Sequence, residues 1–410
     1  MTRRTYWIYF ALGIGVTLLV AHFQTTPGYM DADYYFATGT RLAAGDGFSE
    51  PFLWNYLDQP AGLPHPSHGY WMPLASILAA LSIIFTKEFS FVGARLSFIL
   101  VAGLVPPLTV WLSYLISARK DYALLAGWLA VLPGFYLAYM GTTDTFGLNM
   151  LFGGFWMALA ALWTSPTPTP KKNINQHWLS LALGGVSGIM HLARADGILW
   201  LGMSILTLIL RPKKTLDKPG IKLRGLYQGI LLCLIGYFAI MVPWFIRNLT
   251  VFGAPLSPAG TRTLWLTDYD EIFTFPPDVL TPARWLSSGW QAIFRARWTA
   301  LGQNLQSCLA VQGQIFLAPL ILVGLWKLRA DPVVRLGALA WVMILFLMTL
   351  VFPFVGWRGG FFHSGAALQP LFWAAAPVGL EVVVGWGARV RRWQRSQALS
   401  FFRFGLVGLA

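Results

Sequence analysis

PGYMDADYYFATGTRLAAGDGFSEPFLWNYLDQPAGLPHPSHGY, residues 27–70, is the stretch from which the fold is read. It follows a single apolar run and carries Asp31, Asp33, Asp46, Glu50 and Asp58 against one arginine, Arg41. The chain as a whole is basic: 30 Lys and Arg against 16 Asp and Glu give a net charge of +14 over 410 residues. A concentration of carboxylate just past a first membrane anchor runs against that balance. It is a natural place for the catalytic base of a membrane enzyme.

Outside this loop the composition fixes the class. The chain is 56% hydrophobic and 11% charged, where soluble domains carry about 25% charged residues. Apolar runs of about 20 residues recur from end to end, each long enough to cross ~30 Å of hydrocarbon. The expected fold is an all-α polytopic membrane protein. The positive charges do not gather on one face, as a nucleic-acid surface would require. They fall in short loops between apolar runs, the pattern that orients membrane helices.

Five basic clusters set the inner side: Arg119-Lys120, Lys171-Lys172, the stretch from Arg211 to Arg224, Lys327 to Arg329, and Arg389 to Arg395. With all five inside, spans are expected near 6–24, 92–116, 122–141, 146–164, 177–191, 196–210, 225–246, 312–328, 333–353 and 364–386. Met1 to His22 reads as a retained signal anchor, because no small-residue cleavage site precedes the loop. Trp71 to Phe85 is apolar, but a full span there would put every later basic cluster outside. It is therefore expected to stay on the outer side as a juxtamembrane or re-entrant piece.

This topology describes one membrane domain over 1–410, with a first outer loop at 25–70, a second at 247–311, and no soluble C-terminal domain. The last apolar run, after Arg395, holds about 15 residues and is short for a span. Either the sequence stops within a helix or that helix is partial. The topology gathers the acidic loop, Asp144, the Arg194/Asp196 pair, the loop 247–311 and Trp357, Arg358 and His363 on the outer face. Thr281 to Leu305 is expected to form an interfacial helix with Leu286, Trp290, Ile293, Phe294, Trp298, Leu301 and Leu305 in one stripe. Cys233 and Cys308 have no metal-type spacing and make no disulfide framework.

The catalytic candidates are Asp31, Asp33 and Asp144. A carboxylate within reach of an acceptor hydroxyl can take its proton; each of the three can equally cap a helix start. Asp144, among Thr142, Thr143 and Thr145, sits at the boundary of a span, where an acidic group is costly unless paired, hydrated or functional. Arg358, Arg247 and Arg194 are the donor-phosphate candidates, because guanidinium matches phosphate geometry. Arg194 with Asp196 also reads as a structural ion pair. His65 and His68, with Asp31 and Asp33 nearby in sequence, are candidate metal ligands, although two loop histidines making ordinary hydrogen bonds is the simpler reading.

These residues resemble those of the GT-C membrane glycosyltransferases, especially the protein O-mannosyltransferase and aminoarabinose transferase-like group (the glycosyltransferase family 39 type). The resemblance rests on Asp31 with Tyr35, the stretch RLAAGDG at 41–47, Gly69-Tyr70-Trp71, Arg95, Thr143-Asp144, PWFIRN at 243–248 and Arg358. The family often has adjacent Asp-Glu where Ala32 follows Asp31 here. The resemblance implies a GT-C helical bundle of about 10–12 membrane segments with outer juxtamembrane helices, a count set by the ~20-residue span. It implies a glycosyltransferase moving a sugar from a polyprenyl-phosphate donor to a hydroxyl acceptor on a protein or glycolipid. The reaction is expected at the outer face of the inner membrane, among membrane lipids, with no nucleic acid; no cofactor is fixed by the residues, and a divalent metal is compatible with them. Two other readings stay open. One is an oligosaccharyltransferase-like enzyme with a divalent metal held by Asp31, Asp33 and Asp144, with or without a histidine. The other is a transporter of lipid-linked sugars, for which midplane charges and internal repeats would be expected.

Overall fold

The computed structural model describes residues 1–164, 175–210 and 219–410. The cluster Lys171-Lys172 and most of the stretch from Arg211 to Arg224 lie outside the described residues.

The chain is a multi-pass helical membrane protein. Among the described residues, six helices are long and apolar enough to cross a membrane. Shorter apolar helices cover Leu74–Thr86, Ala195–Ile209 and Ala318–Lys327. The main elements are α1 (Arg3–His22), α2 (Met30–Ala44), α3 (Leu74–Thr86), α4 (Leu96–Ser117), α5 (Lys120–Val131), α6 (Phe146–Thr164), α7 (Gln176–Ala193), α8 (Leu199–Ile209), α9 (Pro219–Phe252), α10 (Pro282–Ser287), α11 (Trp290–Ser307), α12 (Ala318–Lys327), α13 (Pro332–Phe346), α14 (Gln369–Arg391) and α15 (Arg395–Leu409). The strand pair β1 (Ser49–Glu50) and β2 (His65–Pro66) clips the outer loop antiparallel.

Each expected span meets a helix, with two adjustments. The run 122–141 is divided: α5 ends at Val131 and a short turn of helix follows over Gly134–Ala138, past Pro133. The expected helix 281–305 is broken into α10 and α11 at Gly289, which takes φ +82°, a conformation open to glycine at little cost. The segment 71–85 forms α3, 13 residues long. At about 1.5 Å per residue it is too short for a ~30 Å core, and it packs on α2.

Close backbone approach holds the bundle together. A Cβ on Gly184 of α7 would lie 1.8 Å from the Cys233 carbonyl oxygen of α9, and one on Gly379 of α14 would lie 1.9 Å from the Leu320 oxygen of α12. Small residues at such crossings let membrane helices gain dispersion contacts that lipid cannot offer. Helix α14 is central and packs against α4, α5, α6, α12 and α15. Near its far end Glu381 accepts from Arg119 and Arg395, while Asp121 accepts from Arg119 and Arg403. At about 1.5 Å per residue, the 18 steps from His363 to Glu381 span ~27 Å. The basic end and the end bearing His363 are therefore opposite ends of the bundle.

Candidate active site

Three side chains from three distant parts of the chain meet at that second end. His363 Nε2 lies 3.1 Å from Asp144 Oδ2 and 3.5 Å from Asp31 Oδ2. One ligand atom from each of Asp31, Asp144 and His363 lies within 4.8 Å of the other two. Asp31 comes from the first turn of α2, Asp144 from the turn ahead of α6, and His363 from the approach to α14.

Each is held by its own local structure. Helix α2 begins at Met30, ahead of both Asp31 and Asp33, and has no side-chain cap. Asp31 is thus free of capping duty and faces the site. Asp33 is two residues on, about 200° around the helix, and is exposed. Asp144 is fully enclosed. Tyr29 donates to its Oδ2 at 2.6 Å, and the Thr145 backbone N–H donates to Oδ1, so both oxygens are held while Oδ2 faces His363. The His363 ring stacks on Phe146 with centroids 3.9 Å apart, and its own carbonyl accepts from Asn149. Gly359 takes φ +148° in the wide turn over 356–360. Its carbonyl lies 2.9 Å from His363 Nδ1.

That last contact fixes the tautomer. A carbonyl only accepts, so Nδ1 carries the proton, and the neutral ring presents a lone pair at Nε2. Three acceptor atoms then face one another. A proton on Nε2 or on Asp31, or a bound cation, relieves that arrangement. Ligand atoms bonded at ~2.1 Å to a divalent ion sit roughly 3.0–3.5 Å apart. The measured 3.1 and 3.5 Å fit that spacing, and an imidazole whose other nitrogen donates to a backbone carbonyl is the usual metal-ligating form.

Burial pushes the Asp31 carboxyl up to about 6. His363 and Arg194 act against that rise, and the Asp144 charge adds to it. Burial also works against the Asp144 charge, but the His363 ring and the hydrogen bonds from Tyr29 and Thr145 outweigh it and hold its carboxyl below the usual range. The Trp71 side chain also acts against the rise of the Asp31 carboxyl.

Of the arginines, Arg194 is nearest the chemistry. Its Nε donates to Asp196 at 3.0 Å, Ser364 donates to the other Asp196 oxygen, and its charge acts on Asp31. Arg358 lies against two rings, 4.7 Å from the centroids of Tyr269 and Trp357. Arg247 donates to the Ser67 carbonyl at 2.6 Å and lies 4.8 Å over the Trp244 ring. Its charge acts on Glu50 and His68. The loop histidines sit in a separate network. His65 pairs with Asp58 at 2.9 Å, and His68 bonds Ser67 and Ser76. In that network Glu50 accepts from Tyr34, and burial pushes its carboxyl up to about 7.

The sequence pointed to Asp31 and Asp144 individually. It named His363 only as a member of the outer face, within GWRGGFFHS, and missed it as a partner of the carboxylates. Tyr29 and Phe146 gave no signal at all.

No protein-family model matches the chain, and no curated protein matches it. Solved structures do. The oligosaccharyltransferase of Archaeoglobus fulgidus in complex with Zn and sulfate superposes with a TM-score of 0.54 at 13% identity, over 99% of this chain and 50% of that one. The archaeal oligosaccharyltransferase AglB of the same organism, with an inhibitory peptide and a dolichol-phosphate, gives 0.51 at 14%, over 100% and 54%. A form tethered to an acceptor peptide with the NVT sequon gives 0.53 at 13%, over 98% and 53%. The fold is of the GT-C type. The chain spans about half the length of the solved structures it matches, and at this identity the likeness concerns the fold.

Proposed function

We propose that the chain is a membrane glycosyltransferase that moves a sugar from a polyprenyl-phosphate donor to a hydroxyl acceptor. The observation that carries this reading is the convergence of Asp31, Asp144 and His363 at one end of a GT-C bundle. In the reaction the bond from the anomeric carbon to the phosphate oxygen breaks, and a bond from that carbon to the acceptor oxygen forms. Asp31 accepts the acceptor's proton; its carboxyl, raised to about 6, is still ionised near neutral pH and is a stronger base than an ordinary aspartate. Asp144 and Tyr29 hold the site around it. Arg358, with Arg194 behind Asp31, stabilises the phosphate as negative charge collects on it. The finer resemblance to the protein O-mannosyltransferase and aminoarabinose transferase-like group belongs with this reading. Incubation of the purified protein in vesicles with radiolabelled polyprenyl-phosphate sugars and cell-envelope extract tests it. Label should pass to a macromolecular acceptor; label that stays on the lipid under every condition overturns it.

A second reading is favoured by the Nε2 lone pair of His363 facing two carboxylates. Here the enzyme is divalent-metal-dependent and oligosaccharyltransferase-like, and Asp31, Asp144 and His363 hold the ion. Such an ion supplies Lewis-acid stabilisation of the leaving phosphate. One solved neighbour is described with Zn and others with a dolichol-phosphate or an acceptor peptide, which supports a lipid-linked donor and a peptide acceptor. Loss of transfer on chelation, restored by Mn²⁺ or Mg²⁺, selects this reading; transfer unaffected by chelation rejects it.

The site is proposed to face outward, because Arg119, Lys120, Arg329 and Arg389 sit at the opposite end, and positive residues stay inside. Cysteines at positions 120 and 328 should label only from the cytoplasm, and those at 46, 268 and 360 only from outside.

A further inference from the structure

Helix α11, Trp290–Ser307, has three faces rather than two. At about 100° per residue, Ile293, Ala300 and Asn304 share one narrow arc, and all three are buried against the bundle. Asn304 fixes that arc by donating to the Met348 carbonyl and to Thr349. Next to it, within an arc of about 80°, come Trp290, Phe294, Trp298 and Leu305. They are 77%, 67%, 66% and 44% exposed. Gln291, Arg295, Thr299, Gly302, Gln303 and Gln306 make up the remaining arc and are exposed as well.

A water-facing helix on a protein needs only a buried arc and a polar arc. The additional arc here holds three large aromatic side chains with nothing on them, two of which stack on one another. Burying an aromatic side chain removes roughly 150–250 Å² from contact with solvent, so a strip of three left in water is costly. The strip does not stop at the helix end. It runs on through exposed Leu309, Ile315 and Leu322 to the flank of α12, a short apolar helix of the bundle. Exposed apolar side chains therefore follow the chain from α11 onto α12. Exposed Arg295, on the arc next to the strip, adds positive charge where anionic headgroups lie.

We infer that α11 is seated in the bilayer interface, with Trp290, Phe294 and Trp298 in the boundary between headgroups and acyl chains. The occupant of the strip is the lipid surface. Tryptophan is enriched at that depth, and helices with this distribution lie in the interface plane. The seat matters for the chemistry because α11 packs on the turn 356–360, which carries Arg358 and the carbonyl that orients His363. Anchoring α11 thereby fixes the height of the donor site at the headgroup plane, where the phosphate of a polyprenyl donor resides. This last step rests on the proposed transferase reading.

The test places a bimane probe on a single cysteine at position 294, at 298, or on the polar arc at 303, with Cys233 and Cys308 replaced by serine. The protein is reconstituted in vesicles of zwitterionic and anionic phospholipid, and monodispersity in detergent selects the folded variants. A lipid carrying a shallow nitroxide should quench the probe at 294 and at 298 at least about threefold more than at 303, and aqueous iodide should do the reverse. Equal iodide quenching at 294, 298 and 303 overturns the inference, because the strip then lies in water. Shielding of 294 and 298 from both quenchers, with cross-linking between copies, overturns it in favour of a dimer face. For the catalytic consequence, the double variant F294S/W298S should lose about tenfold or more in transfer from a long-chain donor held in the bilayer. It should keep transfer from a short-chain, water-dispersible donor. Equal loss with both donors overturns the height argument. Absence of transfer by the unaltered protein counts against the transferase reading alone and leaves the quenching result standing.

Discussion

His363 Nε2 stands 3.1 Å from Asp144 Oδ2, although the two residues are 219 positions apart in the chain. The contact joins the start of α6 to the approach to α14, and Asp31 of α2 completes it from a third direction. Asp144 Oδ2 also accepts from Tyr29 at 2.6 Å, while His363 Nε2 meets only the two carboxylates among the described residues. The Nδ1 proton is committed to Gly359, and Asp144 Oδ1 accepts from the Thr145 backbone N–H. What remains is a cage of two carboxylate oxygens and one imidazole nitrogen, closed on one side by the Phe146 ring.

The cage predicts its own ligand. His363→Ala should weaken binding of Mn²⁺ or Zn²⁺ by at least about tenfold, the lower end of what removal of metal-site partners costs. Calorimetry on the purified protein reads this directly, without an activity assay. His65→Ala, in the separate Asp58 network, should bind the ion as the native chain does. Equal affinity in native and His363→Ala protein would remove the metal from the site.

Asp31→Asn keeps the shape of the side chain and removes its ability to take a proton. Loss of a positioned base costs about 10²–10⁴-fold in rate. Transfer should fall by that factor while unfolding temperature and donor binding stay close to native. Asp33→Asn, on the exposed face of α2, should stay near native activity. Retention of more than about half the activity in Asp31→Asn would exclude it as the base, since one positioned base is worth at least 10²-fold.

The pH dependence of activity and of stability should have opposite signs. Burial raises the Asp31 carboxyl from 3.8 to about 6 in the folded chain. Only the ionised form takes a proton, so kcat/KM should rise with pH through about 6 and level off above it. A folded pKa above the unfolded one contributes stability that is complete below 3.8 and is lost as pH rises through about 6. Activity should therefore fall toward acid pH while the Asp31 contribution to stability grows. A saturating divalent ion would move the activity midpoint down, because it favours the carboxylate. A pH–rate profile beside thermal melts of the native and Asp31→Asn proteins checks both signs.

Packing is testable at one residue. A Cβ at Gly379 would sit 1.9 Å from the Leu320 carbonyl oxygen, whereas at Gly202 nothing lies within 4 Å. Gly379→Leu must push α12 from α14 and should cost about 1–3 kcal/mol or more, as overpacking does. Gly202→Leu should be close to neutral. Unfolding in detergent compares the two, and equal melting temperatures would refute the close contact.

Much of the bundle was legible because apolar length is a strong local signal. The shortness of α3 was legible for a less local reason: the basic loops exclude a span there. Asp31 and Asp144 were legible because carboxylates at membrane boundaries need a reason. The choice of Asp31 over Asp33 was not, since it depends on where α2 begins, and the start at Met30 turns one carboxylate in and the other out. His363 was illegible as a partner because its role comes from the chain's path over 219 residues. His65 and His68 sit beside the acidic loop in sequence, but β1–β2 pairing and Asp58 draw His65 aside. Arg247 looked free in sequence and is engaged by the Ser67 carbonyl and the Trp244 ring.

Among the described residues, Arg358 differs from Arg247 in that rings alone engage it. Its guanidinium rests against Tyr269 and Trp357, 4.7 Å from each ring centroid. Cation–π contacts hold a guanidinium in place without using its N–H donors, so the fork stays available for phosphate. Tyr269 also lies close enough to Asp31 for their charges to interact, which ties the arginine to the carboxylate site. Arg358→Ala should weaken binding of a polyprenyl-phosphate sugar at least about tenfold, as loss of a charge-assisted bidentate contact does. Arg358→Lys should recover only part of that, because an ammonium supplies a point charge in place of a planar fork. Tyr269→Leu should act in the same direction as Arg358→Ala but more weakly, since it frees the side chain without removing its charge. Donor affinities of the three variants decide the matter: unchanged binding in Arg358→Ala would leave Arg194, behind Asp196 and Asp31, as the phosphate-binding arginine.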